Sequence, residues 1–68
     1  MPSVQVNVWK GWGEKNAEIL IHKITKIFTE MGIPAQAVEV MINEIPKTHW
    51  GINGEPASVV MKDVEPPK

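Results

Sequence analysis

Few residues in this chain can carry acid–base or covalent chemistry, and the first of them stands at its start. Pro2 follows Met1. Aminopeptidases remove an initiator methionine ahead of a small second residue, and Met-Pro is a processable start. Pro2 would then hold a free secondary amine, whereas an internal proline nitrogen is an amide without basicity. An ordinary α-amino group titrates near ~7.7–8.0. An apolar surrounding disfavours its charged form and lowers that value. A neutral amine at pH 7 is a competent general base. With Met1 retained there is no amine, and a proline here does no more than open an edge strand.

The rest of the chain excludes more chemistry than it offers. There is no cysteine, so a disulfide framework and a thiolate metal site are both excluded. The two histidines, His22 and His49, lie far apart in sequence, so a structural metal is not expected. The formal net charge is −1, and all seven basic residues are lysines, in no basic patch. Nucleic acid is therefore not expected as a partner. No apolar run approaches the roughly 20 residues that span a bilayer, so no membrane association is expected either. The first ten residues lack the basic start and apolar block of a signal peptide, which makes the cytoplasm the expected location. The aromatic content is mostly tryptophan: Trp9, Trp12 and Trp50, with a single phenylalanine.

The elements that must position these residues follow from periodicity. Residues 3–8 alternate, with Val4, Val6 and Val8 on one side, as in a strand with one buried face. Residues 9–13 contain two glycines and form a loop. Over 14–31, Ala17, Leu20, Ile21, Ile24, Ile27, Phe28 and Met31 recur at helical spacing and make one apolar stripe. Gly32 and Pro34 end that helix. Residues 37–43 alternate again, with Val38, Val40 and Ile42 opposed to Glu39, Met41 and Asn43. The fold class is thus α/β: one β-α-β unit whose strands are parallel and whose crossover is right-handed. Residues 45–56 are rich in turn formers, residues 57–61 suit a short strand or hairpin arm, and residues 63–68 suit a tail beyond a domain of 1–62. A chain of 68 residues buries only about 60% of its unfolded surface. Without disulfides or metal, association with its own copies is the remaining remedy. Met41 on the uncovered sheet face is where a partner subunit would sit.

Read together, these features resemble the 4-oxalocrotonate tautomerase family across nearly the whole chain. The match is carried by Met1-Pro2 opening a strand, Gly11 after it, Leu20-Ile21 in the helix, and the second strand through Glu44. It continues through His49-Trp50-Gly51-Ile52-Asn53-Gly54, where the family has a His-aromatic-Gly-Ile-Gly-Gly turn. The resemblance implies subunits that pair through their sheets and assemble as a homohexamer, a trimer of dimers. It also implies a small-molecule substrate and a cofactor-free keto–enol or double-bond shift, with Pro2 moving the proton. Two family arginines that hold the substrate are replaced, one by Trp12 and one by Glu39. The resemblance places Trp9 and Trp50 at the site as well, Trp9 lining that of a neighbouring subunit. An aromatic pocket of Trp9, Trp12 and Trp50 favours a flat or aromatic enol over 2-hydroxymuconate, and Glu39 repels a carboxylate. Lys10, Lys47 or a backbone N–H of the 10–13 loop would polarise the ketone oxygen. The competing readings are that the tryptophans only pack, that Glu39 activates water in a hydratase-like reaction, and that the chain is a catalytically degenerate oligomer.

Overall fold

The computed structural model describes residues 1–65. Strand β1 (Ser3–Trp9) lies parallel to strand β2 (Glu39–Ile45), and helix α1 (Glu14–Glu30) crosses between them. In register, Val4 faces Val40 and Val6 faces Ile42, so the apolar halves of both strands share the side that packs on the helix. The ladder continues past both ends: Glu39 N–H donates to the Pro2 carbonyl at 3.0 Å, and Lys10 N–H to that of Ile45 at 2.8 Å.

Helix α1 starts without a side-chain cap, on Gly13, with Glu14 in its first turn, where a negative charge complements the helix dipole. Its end is a Schellman motif. Ile33 N–H reaches the Phe28 carbonyl at 3.1 Å, Gly32 N–H reaches that of Thr29 at 3.1 Å, and Gly32 has φ 93°. The expected stripe is only partly covered. Ala17, Leu20, Ile24 and Phe28 are half-buried, but Ile27 is 56% and Met31 72% exposed. Two strands about 5 Å apart are too narrow to cover the whole apolar arc of a helix.

Two boundaries depart from the sequence expectation. β2 begins at Glu39, not at 37, because residues Ala35–Ala37 form a 3₁₀ turn led by Pro34, whose carbonyl accepts the Ala37 N–H at 2.9 Å. Residues 57–61 supply no strand. The hairpin is β3 (Gly51–Ile52) paired antiparallel with β4 (Glu55–Pro56) around the two-residue turn Asn53-Gly54. Ala57–Val60 is a helical turn, α2, closed by Met61 N–H to the Ala57 carbonyl at 2.8 Å. Ala57 N–H is already committed to the Trp50 carbonyl at 2.7 Å, which turns the chain off the ladder. The proposed tail, 63–68, lies partly outside the described residues; 63–65 are exposed.

Among the described residues only Ala57 is fully buried. The Cα radius of gyration is 14.5 Å, against about 11 Å for a compact chain of this length. The outer sheet face carries Gln5, Asn7, Met41 and Asn43, all exposed, with Asn43 Nδ2 donating to Asn7 Oδ1 at 3.2 Å. No helix among the described residues is long and apolar enough to cross a membrane.

Candidate active site

The two ends of β1 carry different chemistry. At the N-terminal end, Pro2 is half-buried and Glu39 is exposed, with Glu39 standing opposite Ser3 and donating its N–H to Pro2. These two residues are neighbours within one protomer. At about 3.3 Å per residue, the run from Pro2 to Trp9 spans roughly 23 Å. The tryptophans gather at that far end.

There, Trp9 and Trp50 meet edge to face, with ring centroids 6.0 Å apart and planes at 75°. Beside them, Asn7, Ile45, His49, Trp50 and Gly51 line a shallow cleft of about 290 Å³. His49 Nδ1 shares a hydrogen bond with Thr48 Oγ1 at 3.0 Å, which ties the ring into its own turn. His22 is exposed on α1. Lys47 Nζ stands 4.7 Å from the centroid of the Trp9 ring and donates to the Met61 carbonyl at 2.8 Å and to the Val64 carbonyl. An ammonium has three N–H donors, and these partners occupy them. Lys47 is therefore engaged in holding the fold together, not aimed at a substrate as expected.

Trp12 sits in the 10–13 loop, above a second cleft of about 560 Å³ that runs along the start of α1. The loop is pinned at three points. Lys10 N–H bonds the Ile45 carbonyl at 2.8 Å, Gly11 N–H bonds Glu44 Oε1 at 2.9 Å, and Asn16 Nδ2 bonds the Trp12 carbonyl at 2.8 Å. The Lys10 and Gly11 amides are thus committed, which narrows any backbone help from this loop to Trp12 and Gly13. The Lys10 side chain is exposed at the same end as Trp9. The Nε1 atoms of Trp9 and Trp12 are buried without an acceptor among the described residues, so neither ring is held through its N–H.

Sequence reasoning assigned Glu44 no task, and the structure does. Its carboxylate anchors the loop that carries Trp12. The signal was a charge at a position that shares its strand face with Val40 and Ile42 and pairs with Val8.

Residues 2–60 match the family described as "Tautomerase enzyme". The chain belongs to the tautomerase family. The match opens on Pro2 and takes in all four strands, α1, the Trp50 turn and α2. Among curated tautomerases, the 2-hydroxymuconate tautomerase of Pseudomonas sp. (strain CF600) is 36% identical over 63 residues, covering 91% of this chain and 100% of the relative. A probable tautomerase of Ralstonia nicotianae is 35% identical over 69 aligned positions, covering 100% and 94%. Among solved tautomerases, a 4-oxalocrotonate tautomerase isozyme structure from Methylibium petroleiphilum superposes with a TM-score of 0.80 at 33% identity, covering 87% of this chain and 97% of that one. The 4-oxalocrotonate tautomerase resemblance drawn from the residues is thereby shown along the chain, and the family's isomerase class comes with it.

Proposed function

We propose that the protein is a cofactor-independent keto–enol tautomerase. Its base is the Pro2 amine, freed by removal of Met1, in a site completed by another copy of the chain. One observation supports this reading above the others: Pro2 and the tryptophan cluster lie at opposite ends of one strand. Two copies placed antiparallel, sheet beside sheet, bring the Pro2 end of each to the tryptophan end of the other. Met1 is 93% exposed, so its removal sacrifices no packing within the protomer.

In this reading the neutral amine takes the enol hydroxyl proton as the carbonyl forms. The resulting prolinium returns a proton to carbon. Atoms and charge balance, and nothing is consumed. Trp9, Trp12 and Trp50 of a neighbouring copy wall the site and exclude water, which favours the neutral amine. Lys10 or a loop amide at Trp12 or Gly13 polarises the oxygen. The relatives named for 2-hydroxymuconate act on a doubly charged substrate. This chain has no arginine to clamp a carboxylate, and lysine does not reproduce that geometry. Glu39 beside Pro2 adds repulsion. The substrate class is therefore an enol or keto acid of aromatic or apolar character. The assembly is a homohexamer, a trimer of dimers, in the cytoplasm.

The test is ketonisation of phenylpyruvate enol by the wild type and Pro2→Ala, with intact masses measured for both. Pro2→Ala is expected to fall by about 10²-fold in kcat. Unchanged turnover would remove Pro2 from the mechanism. A wild-type mass that includes Met1, with no turnover, would favour the second reading: a tautomerase-fold oligomer without activity, which the absence of arginine supports.

A further inference from the structure

Lys47 joins three parts of the chain that are distant in sequence. It opens the 3₁₀ turn Lys47–His49, its ammonium lies 4.7 Å from the Trp9 ring at the end of β1, and it holds carbonyls of Met61 and Val64 beyond α2. The Trp9 ring in turn bears on Trp50. Trp9 has no other polar anchor, because its Nε1 finds no acceptor among the described residues. The segment after α2 has little else to hold it down. Met61 is 37% and Val64 46% exposed. One cation thus fixes both the aromatic wall and the chain end that runs beside it.

We propose that Lys47 is a positioning residue. It clasps the 61–64 segment over the end of β1 and sets where the Trp9 ring stands, and so it tunes which substrate the aromatic wall accepts. The proposal rests on the reading that Trp9 and Trp50 line a Pro2 site. Lysine suits the task because a compact ammonium satisfies two carbonyls and a ring face at once, whereas a neutral isostere satisfies none. The effect belongs in substrate recognition. Lys47 reaches no reacting atom, so kcat is spared and KM moves.

The experiment compares wild type, Lys47→Met and Lys47→Arg in two readouts. The first is brief trypsin exposure followed by intact mass, which scores cleavage after Lys62, inside the clasped segment. Lys47→Met is expected to be cut there about tenfold faster, and Lys47→Arg, which keeps a cation and donors, near the wild-type rate. The second is ketonisation of phenylpyruvate enol. Lys47→Met is expected to raise KM about fivefold with kcat within about twofold, and Lys47→Arg to restore most of it. Equal cleavage rates in all three proteins overturn the clasp. Faster cleavage with an unchanged KM overturns its role in specificity. A kcat loss in Lys47→Met that Lys47→Arg fails to rescue overturns the positioning role as well. Pro2→Ala is run alongside. If it keeps full turnover, the general-base reading falls, while the trypsin and KM comparisons still decide the part played by Lys47. Should Lys47→Met fail to fold, Lys47→Leu, which also lacks a donor, replaces it in both readouts.

Discussion

Glu39 is the residue whose charge most alters the expected chemistry. It stands opposite Ser3 on the ladder, with its N–H on the Pro2 carbonyl. In the proposed site, a carboxylate facing the freed Pro2 amine would favour its protonated form, opposing the effect of an apolar wall. Only the neutral amine acts as base, so kcat/KM should rise with pH through the amine's pKa. Removing the negative charge lowers the pKa and moves the acid limb to lower pH. Glu39→Gln is therefore expected to move the limb to lower pH and to raise activity at pH 6. A limb that stays in place would show that the carboxylate does not face the amine. Glu44, five residues on, has a different use: its charge is spent on the Gly11 amide.

At the scale of elements, the helix end and the chain after β4 show how local chemistry competes with pattern. Gly32 closes α1 at φ 93°, where an L side chain is strained. A Cβ added there would meet nothing within 4 Å, so the cost of Gly32→Ala comes from the backbone alone. It should be about 1–2 kcal/mol, read as a lower urea midpoint at fixed protein concentration with an unchanged m-value. An unchanged midpoint would mean that the Schellman turn is not formed in solution. After β4 the pattern misleads. Val59 and Val60 are good strand formers, yet the chain coils into α2 because Ala57 is packed to zero exposure with its amide on Trp50. Tertiary context overrides β-propensity here.

At the scale of the molecule, the protomer is an incomplete object. It extends 43 × 24 × 14 Å, exposes Met41 at 39% on its outer sheet face, and exposes Ile27 and Met31 on the helix. Such surfaces mark contacts with other chains. If two copies meet through the sheet, the interface is isologous and Met41 approaches its own symmetry mate. Met41→Glu then sets two carboxylates against each other. It is expected to shift light scattering in size-exclusion chromatography towards monomer at micromolar concentration. Activity should fall with it if each site borrows its aromatic wall from another copy, as proposed. A monomeric Met41→Glu protein with wild-type kcat/KM would refute the composite site.

The sequence alone determined the β-α-β elements and offered a candidate base. Periods of two and of 3.6 are local properties, legible in Val4-Val6-Val8 and in Leu20-Ile24-Phe28, and a proline behind the initiator methionine is visible without any fold. What only the tertiary structure decided is which residues meet. The pairing of Ser3 with Glu39 sets the whole register. That register places Glu39 beside Pro2, Glu44 under Gly11, and Lys47 on Trp9, and it holds the tryptophans a strand's length from Pro2. None of this can be read locally, because register is a contact between segments separated by a helix, and sliding it one residue would turn every side chain to the other face.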